Sequence, residues 1–202
     1  MSFNSLFPTV FMHEEILETR LVNTDLKNLI LEMNKNIPNL TEEYKNNNFF
    51  AVRHNAVQWL IEAINIHVSN YIRYIGINYN LDYSLFGWSN VNLKGDYHVP
   101  HNHPHSWLSG VYYVSMPNQQ NYVTHRKDLA PSHISFFDPR PQANMNSIEG
   151  DQQNRDEYRV LPKEGALLLF PSFLQHMAHP NISDSPRVSI SFNVNVTLQK
   201  PS

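Results

Sequence analysis

The sequence predicts a mainly β protein of the α+β class, with helices first and a β-sandwich or barrel as its body. Two observations predict it. Up to about residue 80 the apolar residues recur at helical spacing, and beyond about residue 82 they fall in short runs rich in aromatic and β-branched residues. Those runs are LFGWSNVNL, SWLSGVYYV, HISFFDP, YRVLP, GALLLFP and RVSISFNVNVTL, and Pro, Gly, Asn and Asp punctuate the gaps between them. Helices followed by at least six strands with turn signals suit α+β with a sandwich or barrel.

Taken in order, Phe7, Val10 and Phe11 predict a short opening strand after Pro8. Residues 13–35 carry Ile16, Leu17, Leu21, Leu26, Leu29, Ile30 and Met33 at roughly helical spacing, until Pro38 breaks the pattern. Thr41-Glu42-Glu43 offers the start of a further helical segment, and Asn46-Asn47-Asn48 reads as a break. Residues 51–76 predict a long amphipathic helix, with Val57, Leu60, Ile61, Ile64, Val68, Ile72 and Ile75 along one side and Gly76 as its terminator. Within the β region, residues 141–157 are polar and poor in structure signals, so they read as a long loop and a candidate lid. Trp59, Trp88 and the helical aliphatics read as core. No internal repeat is visible.

At 202 residues and 23.6 kDa the chain is long enough for one well-buried domain, whereas two would be small. We therefore expect a single domain over 1–202, with the opening strand and supporting helices in 1–80 and the β core in 81–200. Hydrophobic content of 41% and aromatic content of 12% suit a globular chain. A formal charge of −3 gives no electrostatic case for nucleic acid or an anionic membrane as partner. With no cysteine in the sequence, disulfides, Fe–S clusters, thiolate metal sites and cysteine nucleophiles are excluded. The first residues lack the basic and apolar regions of a signal peptide, and GALLLFPSFL is half the roughly 20 residues needed to cross a bilayer. The expectation is a soluble, cytoplasmic protein.

The chemistry concentrates in HNHPHSWLSGVYYV, where His101, His103 and His105 crowd together. Imidazoles at i and i+2 on an extended strand point to one face and can grip a single ion, with a distant third ligand closing the site. His176, in FPSFLQH, is the candidate for that ligand, and Arg187 follows it at the head of an alternating strand. Arginine in that place is suited to anchor a carboxylate. Arg187, Ser189, Ser191 and Asn193 share one face of that strand, and Val188, Ile190, Phe192 and Val194 share the other. If the long helix covers the apolar face, the polar face lines the interior, where a ligand pocket belongs. A metal beside a carboxylate anchor reads as an oxygen-activating enzyme.

The run WSNVNLKGDYHVPHNHP, followed by SGVYYV, FFDPR, GALLLFPSFLQH and RVSISFN, resembles the Fe(II)/2-oxoglutarate-dependent oxygenases. It looks closest to a group found in bacteria and phages, and more distantly resembles the prolyl hydroxylases. The resemblance runs from about Trp88 to Asn193, and more weakly to LFPT near the N-terminus. It implies a double-stranded β-helix (jelly roll) with the N-terminal helices packed on its larger sheet. It places His101, His103 and His176 as ligands of Fe(II), and Arg187 with Ser189 and Tyr113 on the far carboxylate of the cosubstrate, 2-oxoglutarate. The implied reaction couples oxidation of 2-oxoglutarate to succinate and CO2 with oxidation of a substrate C–H bond.

One position departs from the wider family. His103 stands where most members carry Asp or Glu, leaving the metal site one negative charge short. Asp96 is a nearby carboxylate that could supply it. His105 competes with His103, and His179 with His176. His98 reads as a structural residue or one at the pocket mouth, and Asp138 with Arg140 as an ion pair within a turn. His13, His54, His67, His125 and His133 carry no argument. Two rival readings need no 2-oxoglutarate: a cupin-like metal-binding protein without turnover, and a three-histidine dioxygenase or isomerase. The Arg187-Val188-Ser189 strand speaks against both, since neither needs a dicarboxylate anchor. The sequence identifies neither a substrate, whether small molecule or protein side chain, nor an oligomeric state.

Overall fold

Two antiparallel sheets face each other, and the chain steps from one to the other at almost every turn. The computed structural model describes residues 1–2, 6–36, 48–117, 130–140, 148, 151 and 155–197. In chain order these hold β1 (Met12–Glu15), α1 (Arg20–Asn36), a 3-10 turn (Phe49–Ala51), α2 (Asn55–Tyr74), β2 (Tyr83–Asn92), β3 (His98–His101), β4 (Leu108–Ser115), β5 (Ile134–Phe137), β6 (Glu157–Val160), β7 (Ala166–Pro171), β8 (His176–Ala178) and β9 (Arg187–Val196). The larger sheet runs β1-β7-β4-β9-β2 and the smaller β3-β8-β5-β6. This is the double-stranded β-helix expected from the motifs, and the six strands read from the sequence are β2, β4, β5, β6, β7 and β9.

The helical face was read too early at its N-terminal end. Residues 13–15 belong to β1, an edge strand paired to β7 from Met12↔Leu169 to Glu15↔Ala166. Tertiary hydrogen bonding overrides a helical apolar spacing there, and the ladder continues where the Ile16 N–H donates to the Gly165 carbonyl at 3.0 Å. The helix starts one turn later, with the Thr19 carbonyl accepting the Asn23 N–H. The opening strand likewise lies just beyond Phe11 rather than across it. Pro38, Thr41-Glu42-Glu43 and most of the loop at 141–157 lie outside the described residues, although Glu157 opens β6. α2 begins at Asn55 because His54 caps it, Nδ1 accepting the Ala56 N–H at 3.2 Å. Gly76, at φ +88°, follows its end as read from the sequence.

Apolar burial explains why the two ends of the chain belong together. Leu60, Ile64 and Val68 of α2 and Leu26 and Ile30 of α1 are fully buried in one cluster with Tyr112, Leu167, Val188, Ile190, Phe192 and Val194 of the larger sheet. Each such aliphatic side chain contributes about 1.5–3 kcal/mol on leaving water. The helices therefore cover the even-numbered face of β9 and turn its odd-numbered face inward. A second cluster (Val111, Ile134, Phe136, Ala166, Leu168, Phe170) fills the space between the sheets at one side. The other side of that interior is polar, lined by β2 and β9. No helix among the described residues is long and apolar enough to cross a membrane.

Candidate metal centre

β3 and β8 are short neighbours in the smaller sheet, and their pairing sets His101 opposite His176. The two ring centroids lie 4.4 Å apart. His103 joins them with ring centroids 5.1 Å from His101 and 5.2 Å from His176. The potential ligand nitrogens of the three all lie within 4.8 Å of one another. The strand alternation behind the i, i+2 expectation is not what holds His103, because β3 ends at His101. Its backbone is fixed instead by an N–H donated to the Ser172 carbonyl at 3.0 Å. Its ring lies 5.6 Å from that of Trp88. Pro104 and His105, the latter at φ +76°, turn the chain away, and His105 is exposed outside the cluster.

Hydrogen bonds prepare two of these rings as ligands. The Nδ1 of His101 lies 2.7 Å from the Val99 carbonyl, and that of His176 lies 2.9 Å from the Leu174 carbonyl. A carbonyl only accepts, so each Nδ1 carries the proton and each Nε2 keeps a free lone pair. Burial reinforces neutrality: it pulls His103 down to about 4 and His176 to about 3, with repulsion from His101 adding to both. Three imidazoles converging on one point fit a first-row divalent ion. Asp96 lies outside this cluster, and its carboxylate accepts the Leu93 N–H at 2.7 Å in the β2–β3 turn.

Across the pocket, Arg187 is 2% exposed and carries no carboxylate partner among the described residues. One terminal nitrogen donates to the His179 carbonyl at 2.9 Å and the other to Asn92 Oδ1 at 3.3 Å. Asn92 Nδ2 in turn donates to His98 Nε2 at 3.0 Å, and burial brings His98 down to about 4. Burial also lowers Arg187, which a charged partner would offset. Tyr113 and Ser189 line the same cavity, with Tyr113 pushed up to about 12 by burial. A buried cation in a cavity, beside polar hydroxyls and facing neutral imidazoles, is suited to an anionic ligand.

The structure thus gathers His101, His103, His176, Arg187, Ser189 and Tyr113 around one pocket. His179 lies outside it, its Nε2 at 2.6 Å from the Ser135 hydroxyl. Asp138 and Arg140 pair within their turn at 2.6 Å, as the sequence suggested. Trp88 is buried but faces the pocket, a correction to its reading as plain core. Ser191 lies in the pocket as the alternation of the last strand implies, and His98 lines it as well, whereas Asn90 and Asn92 escape the sequence reading. The inward parity of β2 was a signal for them, since Trp88, Asn90 and Asn92 alternate as the β9 residues do.

A family model described as "Putative 2OG-Fe(II) oxygenase" matches residues 87–193, more than half of the chain. The chain belongs to this family. It is an Fe(II)- and 2-oxoglutarate-dependent oxygenase, and membership selects that reading over the cupin-like and three-histidine rivals. No curated protein matches it in sequence. Among solved structures it is similar to a prolyl-4-hydroxylase from Pseudomonas putida, with TM-score 0.62 and 14% identity over 93% of this chain and 88% of that one. It is also similar to HygX from Streptomyces hygroscopicus, solved with nickel and 2-oxoglutarate bound, at TM-score 0.57 and 13% identity over 94% and 83% of the two chains. A Trichoplax adhaerens prolyl hydroxylase, in complex with a hypoxia inducible factor peptide fragment, gives TM-score 0.57 and 13% identity over 92% and 83%. At these identities the likeness is one of fold.

Proposed function

We propose that this oxygenase holds Fe(II) through His101, His103 and His176 and binds the far carboxylate of 2-oxoglutarate through Arg187, assisted by Tyr113 and Ser189. The observation that carries this reading is the buried Arg187 cation, which forms no ion pair with a carboxylate among the described residues, feels Asp96 only from beyond ion-pair distance, and shares a pocket with three converging imidazoles. A dicarboxylate answers that arrangement, because one end can neutralise the arginine while the other reaches the histidines.

When bound, Fe(II) supplies the redox chemistry that links O2 and 2-oxoglutarate to oxidation of a substrate C–H bond. The chain's own residues do the rest. Arg187 is aimed by the His179 carbonyl and Asn92, so its remaining N–H groups are pre-set toward the ligand. Phe136 and Phe170 pack on His176, with ring centroids 5.9 and 4.9 Å away, and keep water from that side. The Trp88 ring flanks His103 and shields the opposite side. The substrate reading is a small molecule or a protein side chain, as the peptide held by the Trichoplax enzyme illustrates for that protein.

The test uses anaerobic Fe(II)-loaded protein, with one metal per chain expected and 2-oxoglutarate binding read by calorimetry. Admission of air should release succinate. Failure of metal-loaded protein to bind 2-oxoglutarate would overturn the reading.

A further inference from the structure

We infer that the side-chain amide of Asn90 is a further cosubstrate-binding group, donating a hydrogen bond to the keto-acid end of 2-oxoglutarate. This rests on the reading above, in which Arg187 takes the far carboxylate.

Asn90 is 1% exposed, sits mid-strand in β2 and lines the same pocket as the histidines and Arg187. Its Nδ2 donates to the Ser191 hydroxyl at 2.9 Å. Its Oδ1 is buried and has no hydrogen-bond partner, and only one other side-chain atom among the described residues, Ser132 Oγ, shares that condition. Buried polar atoms are almost always paired in native proteins, so an unpaired one on a residue that lines a ligand pocket marks a place where a ligand, with a small turn of the amide, completes the bonding. Ser132 is not among the residues that line this pocket.

The register fixes what that ligand part is. Asn92 is the partner of Arg187 across β2 and β9, Asn90 the partner of Ser189, and Trp88 the partner of Ser191. Two residues of strand advance roughly 7 Å. Asn90 thus stands one step from the Arg187 level toward the level of Trp88, whose ring lies 5.6 Å from that of His103. A ligand reaching from Arg187 to the histidines passes Asn90 on the way, nearer its metal-side end.

The chemistry then fixes the orientation. Every oxygen of the 2-oxoglutarate dianion accepts and none donates, so the atom facing it must be a donor. A half-turn of the amide exchanges Oδ1 and Nδ2, and the Ser191 hydroxyl serves either one because it can accept or donate. In the turned arrangement Ser191 donates to Oδ1 and Nδ2 faces the pocket. Both amide atoms are then satisfied, and the ligand gains a neutral donor beside the one cation that anchors it.

Calorimetric titration of 2-oxoglutarate into anaerobic Mn(II)-loaded protein tests this, with wild type, Asn90→Ala, Asn90→Asp and Arg187→Ala compared. Asn90→Ala should bind roughly 10-fold more weakly. Asn90→Asp keeps the size and still accepts the Ser191 hydroxyl, but turns a carboxylate toward an anion, and should lose on the order of 100-fold. Metal stoichiometry and circular dichroism of both variants should match wild type. Wild-type affinity in Asn90→Ala, with Arg187→Ala weakened, would overturn this inference and leave the anchor standing. Wild-type affinity in Asn90→Asp would show that this side chain does not face the ligand and overturn it too. Loss of metal from both Asn90 variants would assign the residue to the fold and overturn it as well. Full affinity in Arg187→Ala, or no binding in wild type, would bring down the anchor and this inference together.

Discussion

His101 and His176 are direct partners across β3 and β8, and their ring centroids lie 4.4 Å apart. Two short strands from distant parts of the sequence are brought side by side by strand alternation between the sheets. Two of the three histidines are thereby placed by backbone pairing, while His103 follows β3 and is tied by its N–H to the Ser172 carbonyl, which favours a pre-set geometry.

The first prediction concerns the ligands. His101→Ala and His176→Ala should each abolish stoichiometric metal binding, because two imidazoles do not offset dehydration of the ion. His105→Ala should bind metal as wild type does, since that side chain is exposed outside the cluster. Metal analysis of the purified variants decides the matter, and retained metal in both of the first two would remove the assignment.

Arg187→Ala should weaken 2-oxoglutarate binding by about 10- to 150-fold, the equivalent of about 1.5–3 kcal/mol for a hydrogen-bonded charge, while metal content stays unchanged. Arg187→Lys should recover only part of this, since lysine lacks the two-pronged geometry. Titration of metal-loaded protein reads both, and equal affinities in all three proteins would place the anchor elsewhere.

Metal removal should lower stability measurably. An ion present at 100 times its dissociation constant stabilises the folded state by about 2.7 kcal/mol. For a chain of this size that corresponds to a fall in Tm on the order of 5–10 °C when a chelator is added. An unchanged melting curve with and without chelator would contradict a metal ion held by the three histidines.

The seam between helices and sheet gives a fold prediction. Ile190, fully buried against the helices, should cost about 2–5 kcal/mol on conversion to Ala. Gly110→Ala should cost about 1–3 kcal/mol by overpacking. A Cβ there would collide with the Phe192 ring and come within 2.7 Å of the Leu168 carbonyl. Denaturant unfolding measures both, and a neutral Gly110→Ala would mean that Phe192 has room to move.

The sequence alone determined the class of fold and most of the site. Period-two alternation in β9 marked Arg187 and Ser189 as inward residues once a helix claimed the Val/Ile/Phe face, and clustered histidines marked side chains that converge in the pocket. Alternation and composition are local properties, so they survive in one dimension. What only the tertiary structure decided was pairing. It made His13, Glu14 and Glu15 an edge strand instead of a helix, because β7 offers them hydrogen bonds that their spacing does not reveal. It separated His103 from His105 by tying one backbone to Ser172 and leaving the other in an exposed turn. It also set Asn92 opposite Arg187 and linked Asn90 to Ser191. Each of these depends on which strands meet and in what register, and register is a property of the folded sheet, fixed by how its two faces are buried.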